Sequence, residues 1–174
     1  MNIANKLTIL RIIMIPFFMY ALLKGQLTLA LILFVIASFT DFLDGYLARS
    51  MNLITNFGKF MDPLADKLLV TSALIAFVEL GRLSSWVVLV IISREFIVSI
   101  FRAIAASSGI VIAASWWGKS KTISQMIMII IMLLNNYPFS LMSIPMDTIF
   151  IVIATALTII SGADYIIKNK QVLK

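Results

Sequence analysis

The sequence predicts an all-α, polytopic membrane protein: six transmembrane helices preceded by an N-terminal interfacial amphipathic segment. Three observations predict it. Hydrophobic residues make up 61% of the 174 residues and charged residues only 13%, with a mean hydropathy of +1.06, which is far from a soluble domain. The apolar residues gather into six runs; at about 20 residues per span, six spans use about 120 residues and leave no room for a separate soluble domain. Finally, the basic residues fall almost entirely at one alternating set of breaks between the runs.

Taken in order, residues 1–11 carry Lys6 and Arg11 ahead of an apolar run at 12–23, a pattern that superficially matches a secretory signal. No small-residue cleavage site follows, and hydrophobicity resumes at Leu27 after Lys24, Gly25 and Gln26, so the run reads as a retained first span with an interfacial lead-in. The later runs lie at 27–47, 64–80, 86–106, 120–134 and 144–167. Turn or interface signals separate them: Lys24-Gly25, the polar stretch 49–58, Gly81-Arg82, residues 107–119, and 135–138 with Pro138. No repeat, low-complexity tract or linker interrupts 1–174, which reads as a single membrane domain.

Orientation follows from the cations. One side receives Lys6, Arg11, Arg49, Lys59, Lys67, Lys119, Lys121, Lys168, Lys170 and Lys174; the other receives Lys24 and Arg82. Arg94 and Arg102 fall inside the fourth run and complete the 14 basic residues. The expected topology is multi-pass in the cell membrane, with both termini and the loops after spans two and four cytoplasmic. The formal charge of +6 then reports topology and contact with anionic headgroups of the membrane lipids, not nucleic-acid binding. The sequence has no Cys and no His, which excludes thiolate chemistry, Cys-based zinc sites and the commonest neutral base. Polar chemistry is left to carboxylates, Lys, Arg and hydroxyls.

Of eight acidic residues, four are aspartates between 41 and 66: Asp41, Asp44, Asp62 and Asp66. One charge at bilayer depth costs roughly 2.5–3.5 kcal/mol on insertion scales, and four together repel one another, so something cationic should hold them. Asp41 and Asp44 are spaced i, i+3 at the end of the second span, and Asp62 and Asp66 i, i+4 at the start of the third. Each pair can share a helix face. A short turn makes the two helices antiparallel neighbours, so the pairs converge at one membrane level. All-oxygen donors suit a hard divalent cation, Mg²⁺, Mn²⁺ or Ca²⁺. Gly45, Ala48 and Gly58 leave room beside the acids for a planar or phosphorylated ligand, Arg49 stands at the interface, and Pro63 suits the first turn of the third helix.

The run Asp41-Phe42-Leu43-Asp44-Gly45-Tyr46-Leu47-Ala48-Arg49, eight further residues, then Gly58-Lys59-Phe60-Met61-Asp62-Pro63-Leu64-Ala65-Asp66 resembles the D-x-x-D-G-x-x-A-R-x8-G-x-x-x-D-x-x-x-D signature of the CDP-alcohol phosphotransferases, and every fixed position is present. The resemblance implies a metal-assisted displacement: a hydroxyl attacks the β-phosphorus of a CDP-linked alcohol and CMP leaves. It implies metal binding by Asp41, Asp44, Asp62 and Asp66, with Mg²⁺ or Mn²⁺ as cofactor. A CDP pocket is implied at Asp41, Asp44, Gly45, Ala48, Arg49, Gly58 and Asp62, and general-base work at Asp66. Carboxylate crowding would raise the affinity of Asp66 for a proton, whereas bound metal would lower it. Six spans and a homodimer are also family features.

Further cations suggest an acceptor site. Arg94 and Arg102 are eight residues apart on the fourth span, close to one face, and Lys119 and Lys121 follow at the start of the fifth; with Lys59 they form a candidate acceptor-phosphate set. Intramembrane pairing with Glu95 explains the arginines equally well. The opening Asn2-Ile3-Ala4-Asn5-Lys6-Leu7-Thr8-Ile9-Leu10-Arg11, Ser93-Arg94-Glu95-Phe96, Gly118-Lys119-Ser120-Lys121-Thr122 and Ser161-Gly162-Ala163-Asp164-Tyr165 are similar to the bacterial phosphatidylglycerophosphate synthase branch of the family. That branch implies CDP-diacylglycerol as donor and sn-glycerol 3-phosphate as acceptor. Ala4 departs from the Pro of many relatives. Asn5, Thr8 and Arg11 are candidates for contact with the nucleotide or a lipid phosphate, and a helix cap and headgroup anchor explain them equally well.

Within the same chemistry the runner-up is a phosphatidylinositol phosphate or phosphatidylserine synthase. A divalent-cation carrier is the reading from another class, but carriers place carboxylates near the bilayer midplane, whereas here they fall at helix ends on one side. The ten Met and the Trp116-Trp117 pair read as lipid-facing packing and an interfacial belt.

Overall fold

The computed structural model describes residues 3–50, 56–107, 109, 112 and 115–169; the side chains of 3, 4, 42, 44–50, 56, 57, 59 and 60 lie outside the described residues. The described residues contain six α-helices and no strand: α1 (Ile3–Leu23), α2 (Leu27–Ser50), α3 (Asn56–Glu79), α4 (Ser85–Ser107), α5 (Trp116–Leu133) and α6 (Met146–Lys168), with a 3₁₀ turn at Phe139–Met142. They fall into two compact units, Met1–Arg82 and Leu83–Lys174.

In the first unit α1 packs against both α2 and α3, while α2 and α3 touch each other far less. The reason lies in the buried stripe of α1. Asn5, Thr8, Arg11, Ile15, Phe18 and Leu22 are all buried, and their spacing of three or four residues keeps them on one face. The stripe is polar over its first two turns and apolar beyond. α2 answers with Ala30, Phe34 and Ala37, and α3 with Ala65, Leu69, Ala73, Ala76 and Phe77. The alanines permit close approach of the backbones, and the Phe18 and Phe34 rings meet at 5.6 Å between centroids.

Two features differ from the expected layout. The interfacial lead-in and the first span form one uninterrupted helix, with Thr8 and Arg11 buried in the unit. The third helix begins at Asn56, eight residues before its apolar run, so Pro63 sits inside α3 and not in its first turn. Pro63 has no amide hydrogen to donate, so the carbonyl four residues earlier forgoes its usual helical partner.

The breaks read from sequence are helix caps. At Gly25 (φ +73°) the amides of Gly25 and Gln26 donate to the carbonyls of Leu22 and Ala21, the paired bonds of a left-handed helix stop. Asn135, with φ 53°, does the same work at the end of α5, where its amide and that of Asn136 donate to Met132 and Ile131.

In the second unit α6 packs on both α5 and α4. Its buried face is Ala154, Thr158, Ser161 and Tyr165; α4 presents Val88, Ile91, Val98 and Ala105. The buried face of α5 carries Lys121, Ser124 and Gln125 before Met128, Ile129 and Met132. As in α1, one end of a buried face is polar.

Among the described residues two helical segments are long and apolar enough to cross a membrane, Asn5–Leu23 and Met146–Lys168, and Leu27–Asp41 is a shorter apolar helix. The other helices carry charges within their length: Asp62, Asp66 and Lys67 in α3, Arg94, Glu95 and Arg102 in α4, Lys119 and Lys121 in α5.

Candidate active site

The polar end of α1 is where the acidic helices meet. Arg11 is fully buried, and its Nη1 donates to Asp41 Oδ1 on α2 at 2.6 Å. One turn earlier on α1, Thr8 Oγ1 donates to Asp62 Oδ1 on α3, also at 2.6 Å. Asp41 and Asp62 thereby come within electrostatic range of each other. The Asp41 side chain remains 40% exposed, so it is open to a ligand although one oxygen is engaged. Gly58 is buried one turn before Asp62, and Asp66 is exposed one turn after it. The side chains of Asp44, Gly45, Ala48, Arg49 and Lys59 lie outside the described residues. Among the described residues no group of three or more acidic side chains is gathered as a metal site.

The donor chemistry that is described fits a hard divalent cation: carboxylate oxygens from two helices, oriented by hydrogen bonds and without nitrogen or sulfur competitors. Asn5, Thr8 and Arg11, candidates for a nucleotide or lipid phosphate, are all buried, and Thr8 and Arg11 are bonded to the acids. A headgroup anchor would face outward; their spacing of three puts them on the stripe that buries Ile15 and Phe18.

A second polar cluster lies in the unit of α4, α5 and α6. Glu95 Oε1 accepts from Lys121 Nζ at 2.6 Å and from Arg94 Nη1 at 3.1 Å. Arg94 Nε donates to Ser161 Oγ at 3.2 Å, and Ser161 Oγ donates onward to the Thr158 carbonyl at 3.1 Å. Lys121 is buried and Arg94 nearly so. Two glycines make room for the arginine. A Cβ at Gly118 would lie 3.4 Å from Arg94 Nη2, and one at Gly162 would lie 3.2 Å from Arg94 Cγ. Ser115 caps α5 by accepting from the Gly118 amide at 3.1 Å, which fixes that helix start beside the guanidinium.

Of the five cations expected to hold an acceptor phosphate, Arg94 and Lys121 share Glu95, the partner foreseen for the ion-pairing reading. Arg102 is exposed, with its guanidinium 5.9 Å from the centre of the Tyr165 ring. Lys119 is exposed as well. Ser161, Gly118 and Gly162 were absent from the expected site, although the four-residue spacing of Ser161 and Tyr165 on α6 and the Gly118-Lys119-Ser120-Lys121 run were visible signals.

Residues 1–160 match the family model described as CDP-alcohol phosphatidyltransferase. The chain belongs to that family. Among its curated relatives is the CDP-diacylglycerol–glycerol-3-phosphate 3-phosphatidyltransferase of Bacillus subtilis, 46% identical over 99% of this chain and 97% of the relative. Proteins of the same name from Haemophilus influenzae and Rickettsia felis are 41% and 39% identical, covering 95% and 94% of this chain and 91% and 93% of their own lengths. As a CDP-alcohol phosphatidyltransferase this chain is a membrane protein, in keeping with its two long apolar helical segments. The family match also encloses the whole 41–66 signature and the α1 residues bonded to it.

Proposed function

We propose that this CDP-alcohol phosphatidyltransferase transfers the phosphatidyl group of CDP-diacylglycerol to sn-glycerol 3-phosphate, forming phosphatidylglycerophosphate and releasing CMP. The observation that carries this reading is near-full-length likeness to enzymes named for that reaction in a chain whose acidic signature is intact. The acceptor hydroxyl oxygen bonds to the β-phosphorus, the bond from that phosphorus to the CMP oxygen breaks, and the hydroxyl proton passes to Asp66. Asp41, Asp44, Asp62 and Asp66 hold the divalent cation, Mg²⁺ or Mn²⁺. When bound, it neutralises charge on the phosphoryl oxygens and favours in-line attack.

Gly45, Ala48, Arg49 and Gly58 line the pocket for CDP. Arg94 and Lys121 bind the acceptor phosphate, with Arg102 and Lys119 adding positive field. One carboxylate shared between two cations supports that role, because the trio keeps a net positive charge for an anion to use. The six helices span the cell membrane with both termini and the acidic helix ends cytoplasmic, and the chain works as a homodimer.

The test supplies purified protein with CDP-diacylglycerol and Mg²⁺ or Mn²⁺, then glycerol 3-phosphate, inositol phosphate or serine in separate reactions, and identifies the lipid by mass spectrometry. Phosphatidylglycerophosphate and CMP are expected with glycerol 3-phosphate alone. A product from inositol phosphate or serine in its place would overturn the acceptor assignment.

A further inference from the structure

The contacts of α1 carry an inference that rests on the metal reading above and goes beyond it. The two halves of the acidic signature sit on α2 and α3, and those helices make little contact with each other. The short link from Ser50 to Asn56 keeps the two helices near each other, but their own packing does little to set the orientation of the acids. Both lean on α1, and at the level of the acids the polar side chains that bridge to them are Thr8 and Arg11. Residues three apart on a helix differ by about 60° in direction and about 4.5 Å along the axis. One α1 face can thus send one side chain to α2 and the next to α3. Arg11 meets Asp41 on α2 and Thr8 meets Asp62 on α3.

We infer that Thr8 and Arg11 are positioning residues of the active site: α1 acts as a third arm that sets the separation and orientation of Asp41 and Asp62 for the divalent cation. Neither residue touches substrate or metal in this assignment. Each uses an N–H or O–H donor on Oδ1, which fixes the plane of the carboxylate and leaves its remaining lone pairs for a ligand. The arrangement has the logic of outer hydrogen bonds at metal centres, where loss of an orienting partner lowers metal affinity although every ligand is still present. Burial fits the role. Thr8 and Arg11 are both 0% exposed, so each donor holds its carboxylate from the protein side, and losing it frees the carboxylate to rotate.

The test measures Mn²⁺ binding to the full chain in nanodiscs by electron paramagnetic resonance, without turnover, with thermal unfolding recorded on each sample. Thr8→Val keeps the shape and removes the hydroxyl, and should weaken Mn²⁺ binding by about tenfold or more. Thr8→Ser, which restores a hydroxyl, should recover most of the affinity. Arg11→Lys keeps the charge but loses the planar fork, and should also weaken binding; it is the variant to use if Thr8→Val fails to fold. A folded Thr8→Val or Arg11→Lys protein that binds Mn²⁺ as the wild type does overturns the inference, even if its unfolding temperature has dropped. Asp62→Asn separates the two levels of the argument. Wild-type binding that is lost in Asp62→Asn but kept in Thr8→Val sinks the α1 arm alone, whereas a wild type that binds no Mn²⁺ sinks the metal reading and the inference together.

Discussion

The two polar clusters are built with opposite charge balance. In the unit of α1 to α3, two carboxylates, Asp41 and Asp62, are held by one cation, Arg11, and one hydroxyl, Thr8. In the unit of α4 to α6, two cations, Arg94 and Lys121, are held by one carboxylate, Glu95. Counting these bonded groups alone, the first carries more negative charge and the second more positive charge. Pairing offsets only part of the cost of putting charge in an apolar chain. An oriented charge of this kind suits the ligands proposed above, a divalent cation in the first unit and a phosphate in the second.

The largest expected effect breaks the acidic side of this comparison. Asp66→Asn should lower CMP release by about 10²–10⁴-fold, the usual contribution of a general base, and Asp62→Asn should abolish it, in both cases with the protein still folded in detergent. Turnover near the wild-type rate would remove these residues from the chemistry. On the cationic side the expected effect is smaller and of a different kind. Arg94→Ala should raise the KM for glycerol 3-phosphate by about tenfold or more, since a hydrogen bond to a charged group contributes about 1.5–3 kcal/mol. The KM for CDP-diacylglycerol should move less. Lys119→Ala is the matched control, because Lys119 is exposed and screened by water, and its acceptor KM should rise much less. Equal effects at the two positions would mean that the positive field acts as a whole and the Glu95-centred geometry does not matter.

How much of this was legible in the sequence depended on how far apart the partners lie. Hydropathy located α4 and α6 to within two residues, because those helices coincide with their apolar runs. It missed the first two turns of α3, since Asn56, Lys59 and Asp62 are polar and yet helical; a hydropathy pattern reports the surroundings of side chains, not backbone hydrogen bonds. The acidic signature was legible because its members lie within 26 residues. The hands that hold it were not, since Arg11 and Asp41 are separated by 30 positions and Thr8 and Asp62 by 54. Polar residues at three-residue spacing in an apolar helix mark a buried polar face, but not its partner. The stretches that hold Gly118 and Gly162 stood out in the sequence, but their contact with Arg94 did not, because what matters at both glycines is an absent atom.

That absent atom supplies the smallest and most local prediction. Gly162 lies inside α6, where Gly→Ala stabilises a helix by about 1 kcal/mol. A Cβ there would stand 3.2 Å from Arg94 Cγ, and overpacking of this kind costs about 1–3 kcal/mol when the neighbour cannot move. Arg94 has a flexible stem, so the two contributions should nearly cancel and the unfolding temperature should change little. The shift of the stem should loosen the bonds of the guanidinium to Ser161 and Glu95. Gly162→Ala should therefore raise the glycerol 3-phosphate KM by about threefold, equivalent to about 0.6 kcal/mol, with the CDP-diacylglycerol KM unmoved. An unchanged acceptor KM would show that Arg94 tolerates displacement, and that the positive surplus of the second unit acts through its field and not through a fixed guanidinium.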